Sequence, residues 1–109
     1  MNYKVKSIAV FEKQAKKLIK KYPSLKLEIF NIVQALKINP NFGVSIGKNC
    51  FKIRIAISSK GKGKSGGARI ITNFVINQKT IFLLTIYDKS TKENITDKEL
   101  IELLDAIPE

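Results

Sequence analysis

A chain of 109 residues has room for one core, so it reads as a single domain over residues 1–109. It carries 20 Lys and Arg against 9 Asp and Glu, one cysteine and no histidine. That excludes an internal disulfide and any plausible zinc site, removes the commonest general base, and makes a phosphate-rich partner the first expectation.

Residues 3–8 alternate and predict a short edge strand. Phe11, Ala15, Leu18, Ile19 and Tyr22 then recur at helical spacing, with Lys13, Lys16, Lys17, Lys20 and Lys21 on the opposite side. Pro23 ends that helix and Ser24 is placed to cap a second one, whose buried face is Leu25, Ile29, Ile32, Val33 and Leu36. The two helices form an antiparallel hairpin. Residues 41–49 read as irregular, punctuated by Gly43 and Gly47. Residues 51–57 alternate strictly, with Phe51, Ile53, Ile55 and Ile57 on one side and Lys52, Arg54 and Ala56 on the other. A second strand covers 68–76, and Asn77-Gln78 turns the chain into 80–87, apolar on both faces and therefore central. Thr96 and Glu99 form a capping box for a last helix that buries Leu100, Ile101, Leu103, Leu104 and Ile107. The fold class is α+β: a short N-terminal strand, a helix hairpin, a three-stranded antiparallel meander completing the sheet, and a C-terminal helix.

Charge is unevenly spread. Residues 1–50 hold ten Lys and two acids, residues 51–75 six bases and no acid, and residues 76–109 four bases and seven acids. A basic face set against an acidic end argues for a directed surface rather than a uniform DNA-coating protein. The loop 58–67 has four glycines and three lysines, Lys60, Lys62 and Lys64, and nothing apolar. It ends like a nucleotide-binding loop at Gly63-Lys64-Ser65, but position 58 is Ser and the chain returns into a strand, so a nucleoside triphosphate site is rejected. Its lysines serve either solubility or polyanion binding. The flanking bases Lys52, Arg54 and Arg69 favour binding.

Only two arginines occur, Arg54 and Arg69, and both fall in this segment. A guanidinium pairs two phosphate oxygens and stays charged, so Lys52, Arg54 and Arg69 are read as a cluster aimed at one phosphate, against the alternative of a charge-dotted solvent face. Tyr87, beside Asp88, Lys89 and Lys92, can stack on a base or close a strand. No carboxylate pair, serine triad or metal cluster is present, and no cofactor is expected. One reaction fits Lys, Arg, Tyr and perhaps one acid such as Asp88 or Glu93: cleavage of RNA by its own 2′-hydroxyl, with cations holding the phosphorane charge.

The pattern F-x-K-x-A-K-K-L from Phe11 to Leu18, the Cys-Phe-Lys-Ile-Arg strand from Cys50, Lys-Gly-Lys-Ser-Gly-Gly-Ala-Arg ending at Arg69, and the run Ile81 to Ser90 resemble the RelE/ParE superfamily of type II toxins. The loop form is most similar to the RelE-like HigB branch. The resemblance implies a RelE-like fold and a metal-independent, ribosome-dependent mRNA endonuclease, acting on mRNA in the ribosomal A site and silenced by a cognate antitoxin. It implies catalytic roles for Lys52, Arg54, Lys64, Arg69 and Lys89, with the arginines holding the phosphate and a lysine acting as base or further charge stabiliser. Lys60, Lys62, Tyr87 and Lys92 become RNA contacts. Histidines used by some relatives are absent, and nothing after Tyr87 is aromatic. Nothing in the sequence resembles a secretory signal, and no stretch approaches the roughly 20 apolar residues of a membrane span. A cytoplasmic location is expected, with no membrane and no direct DNA partner. Two other functions fit the composition: a ParE-like toxin that inhibits gyrase, and a non-catalytic RNA- or ribosome-binding module.

Overall fold

The structure, a computed structural model, describes residues 2–60 and 66–108. In chain order it runs β1 (Lys4–Ser7), α1 (Ala9–Lys21), α2 (Leu25–Ile38), β2 (Val44–Gly47), β3 (Cys50–Ile55), β4 (Ala68–Val75), β5 (Thr80–Asp88) and α3 (Asp97–Asp105). The strands form one sheet in the order β1-β5-β4-β3-β2. β1 lies parallel to β5, and the other neighbours are antiparallel. The expected α+β order is present, with the sheet one strand wider than the sequence indicated.

That extra strand is β2, in the stretch read as irregular. Its hairpin to β3 turns at Lys48 and Asn49, both with positive φ (56° and 58°). Two consecutive left-handed residues give the turn whose twist matches that of the paired strands. Gly43, at φ 110°, is required where β2 begins, since a Cβ there would lie 2.7 Å from the Lys52 carbonyl oxygen.

β5 sits between β1 and β4, and all nine of its residues are buried, as a strand apolar on both faces requires. β1 pairs only with Thr80 to Leu83. Beyond its end the Ile86 N–H donates to the Gln14 Oε1 at 3.1 Å, and the Thr85 hydroxyl donates to the same atom at 2.7 Å. A side chain of α1 thus satisfies the sheet edge where no strand covers it.

Ser24 does not cap α2. Its own backbone is already helical, and its hydroxyl is turned to Ser59, 2.6 Å away. The capping box of α3 is complete: the Glu99 N–H donates to the Thr96 Oγ1 at 3.1 Å, and the Thr96 N–H to the Glu99 Oε1 at 3.0 Å. Phe82 is buried, and Phe74 meets the Tyr3 ring edge-on at 5.5 Å, so both pack in the fold rather than offering base platforms. Among the described residues no helix is long and apolar enough to cross a membrane.

Candidate functional site

Cross-strand register assembles the cations. Arg54 on β3 lies opposite Arg69 on β4, and Arg69 lies opposite Tyr87 on β5. Residues directly opposed across a sheet share a face, with Cβ atoms about 5 Å apart. Arg54, Arg69 and Tyr87 therefore form one row across three strands, and Lys52, two residues before Arg54, joins the same face. Ile53, Ile55, Ile70 and Ile86 occupy the other face and are buried. The three cations from two strands come together as the alternation indicated.

Like charges directly opposite one another cost stability. Arg54 is exposed, whereas Arg69 is only 4% exposed and donates from Nη1 to the Ala68 carbonyl at 3.0 Å. Burial, and then the charge of Arg54, pull the Arg69 pKa below the usual arginine range. It remains a cation at neutral pH. An anion seated between the two guanidinium groups relieves both effects, which is what a phosphate site needs.

Tyr87 is 7% exposed, so its ring is no surface on which a base can stack. Burial raises its pKa, the Arg69 charge acts against that rise, and Glu99 adds to it. The hydroxyl thus stays protonated, and it has no hydrogen-bond partner among the described residues. Tyr87, Gln14, Thr85 and Lys92 line a cleft of 390 Å³ with Glu99 and Leu103 of α3. A smaller cleft of 130 Å³ joins Lys52 and Ile46 to Thr96, Asp97 and Leu100. The acidic helix α3 thus borders the cationic row at both ends.

The loop lysines part company. Lys60 is turned away from the row: its Nζ lies 2.5 Å from Asp88 Oδ1 and 3.0 Å from the Ser90 hydroxyl, and it stands 5.6 Å from the centre of the Tyr22 ring. Asp88 follows Tyr87 in a strand and so projects to the opposite face. Burial pushes the Asp88 pKa up, but hydrogen bonds from Lys60 and Ser90 outweigh it and hold it at about 2. Lys60 is therefore a structural cation in this conformation, and Asp88 is no acid for the row. Lys62 and Lys64 lie outside the described residues.

Both stems of the loop are held. Ser58 donates from its N–H and its hydroxyl to Glu28 Oε2, at 3.2 and 2.9 Å, and the Ser59 N–H donates to Ser24 Oγ at 3.0 Å. On the return, the Lys89 N–H donates to the Gly67 carbonyl at 2.9 Å. A Cβ on Gly67 would fall 1.9 Å from the Ile55 carbonyl oxygen, so only glycine permits this approach. Lys89 lies two residues beyond Tyr87, just past the end of β5, with its Nζ on the Glu93 carbonyl at 3.0 Å. Lys92 is half-exposed and paired with Glu99.

Sequence reasoning passed over the anchors Glu28, Tyr22 and Ser90. One of them left a signal: Asp88-Lys89-Ser90 closes an Asx turn, in which the Ser90 N–H donates to Asp88 Oδ1 at 2.9 Å.

A family model described as the RelE toxin of the RelE / RelB toxin-antitoxin system matches residues 3–107. Among solved structures, the chain is similar to the E. coli toxin RelE in the free state, an arginine-to-alanine double mutant. The TM-score is 0.58 at 16% identity, covering 99% of this chain and 100% of that one. At that identity the structural likeness speaks for the fold, while the family model spans nearly the whole sequence. The chain therefore belongs to the RelE toxin family, the toxin side of a toxin–antitoxin pair.

Proposed function

We propose that this toxin is an mRNA endonuclease that acts on the ribosome and cuts by using the 2′-hydroxyl of its substrate. The observation that carries the reading is the opposed pair Arg54 and Arg69, with Lys52 beside them on one sheet face. In the proposed step the 2′-oxygen attacks the adjacent phosphorus and the bond to the 5′-oxygen breaks, leaving a 2′,3′-cyclic phosphate and a 5′-hydroxyl. The proton lost by the nucleophile is balanced by the one gained by the leaving oxygen. Negative charge grows on the non-bridging oxygens of the phosphorane, and preset guanidinium groups aimed at those oxygens lower the barrier. Arg54 and Arg69 take that role. Lys52, Lys64 and Lys89 supply further charge and the proton transfers. Family membership supports the ribosome as the place of action, and with it the cytoplasm.

Toeprinting of an mRNA on programmed ribosomes tests the reading. Purified toxin is expected to cut in the A site, and Arg69→Ala to slow cutting by about 10²-fold or more, with its circular dichroism unchanged. Ribosome binding without a cut selects the non-catalytic module instead. Inhibited supercoiling by gyrase with intact translation selects the ParE-like activity. Full cutting by a folded Arg69→Ala variant removes that residue from the site.

A further inference from the structure

Helix α2 is apolar on two sides. One side packs into the core through Leu25, Ile29, Ile32, Val33 and Leu36. On the other, Leu27 is 65% exposed, Phe30 56% and Ile38 75%. At 3.6 residues per turn, Leu27, Phe30, Asn31, Gln34 and Ile38 fall within an arc of about 100°, running about 16 Å along the helix. None of the five is charged, in a chain of which 27% is charged. At the start of the stripe Pro23, Lys26, Leu27 and Phe30 line an open groove of 440 Å³.

Large apolar side chains left uncovered along three turns of a helix mark a surface that is covered in use. We propose that this stripe seats an amphipathic helix of the antitoxin, apolar along one side and acidic along its borders. Charge chooses the occupant. α2 packs beside α1, whose exposed residues include Lys13, Lys16, Lys17, Lys20 and Lys21, and Lys26 adds a cation on α2 itself. A second copy, itself of net charge +11, would bring the same lysines to the same border, so self-pairing stacks like charges. RNA finds no cation on the stripe. An acidic helix satisfies both the apolar strip and its basic rim, in the groove-docking mode read as i, i+3, i+7 anchors. The assignment needs only the toxin–antitoxin pairing and stands whether or not the toxin cuts RNA.

Calorimetric titration of the toxin with its purified cognate antitoxin tests this. Leu27→Glu and Phe30→Glu are each expected to weaken the complex at least about tenfold, and Phe30→Ala by a similar order. Ile76→Glu, at a 61% exposed position on the β4–β5 turn, is expected to stay within about twofold. Because the substituted positions are exposed, unfolding midpoints should hold. Unchanged affinity of a Leu27→Glu/Phe30→Glu double variant overturns the proposal. Equal weakening by Ile76→Glu overturns it too, since net charge alone would then explain the loss. A toxin dimer in sedimentation that dissociates on Phe30→Glu reassigns the stripe to self-association.

Discussion

Two ionic arrangements on opposite faces of the sheet have opposite characters. Arg54 and Arg69 oppose like charges on one face, while Asp88 and Lys60 neutralise each other on the other. The first favours an incoming anion and the second fixes structure. Asp88 has a folded pKa of about 2 against 3.8 for the free group. A depressed carboxylate stabilises the fold fully above its unfolded pKa, and loses that contribution as pH falls through the folded value. Its worth at neutral pH is about 2 kcal/mol. Asp88→Asn should therefore lower the urea midpoint clearly at pH 7, and the gap to the wild type should shrink to a fraction near about pH 2.5. A gap of equal size at both pH values would show that the carboxylate charge is not what stabilises this corner. None of this was legible from composition. Lys60 belongs to a run of lysines and glycines that looks uniformly basic, and only the fold brings Asp88 to it from 28 residues away.

At the scale of elements, what could be read was what depends on near neighbours. The capping box of α3 is such a case, because Thr96 and Glu99 are three residues apart and their bonds are local. The alternation of β3 likewise placed Lys52 and Arg54 opposite Ile53 and Ile55. β2 escaped because its hairpin rests on two left-handed residues, and of these only Asn49 favours that conformation while Lys48 gives no sign of it. Tyr87 escaped for a different reason. β5 is apolar on both faces, and its register shifts by one at Leu84, where Ile71 and Thr72 pair with Thr85 and Leu83. No period of two could say which side Tyr87 faces or how deeply it lies. The local strength of α3 can be tested. Thr96→Ala removes a cap worth about 1 kcal/mol, and Glu99 keeps only its bonds to the residue-96 N–H and to Lys92. Amides from Leu100 to Leu104 should exchange faster by several-fold, while those of β4 and β5 keep their rates. Uniform acceleration across the sheet would mean that α3 unfolds only with the whole domain.

For the molecule as a whole, the net charge of +11 raises the question of which cations matter to a polyanion. The lysines of α1 are exposed, with Lys21 over the Tyr22 ring, and Lys60 and Lys92 are paired with acids. The cationic row is different, because register holds Lys52, Arg54 and Arg69 on one face of a sheet that cannot easily rearrange. Each phosphate neutralised on a single strand releases counterions, and contributes about −0.7 to the slope of log K against log salt. Anisotropy titrations of a short single-stranded RNA across a salt series should thus give a negative slope that flattens by about one contact's worth in Lys52→Ala. Lys16→Ala, on the outer side of α1, should leave the slope nearly as it was. Were the two substitutions to flatten it equally, RNA would be responding to total charge, and the row on the sheet would have no special claim on the phosphate. A loss confined to Lys52 would instead locate the backbone of the RNA on the face where Arg54 and Arg69 meet.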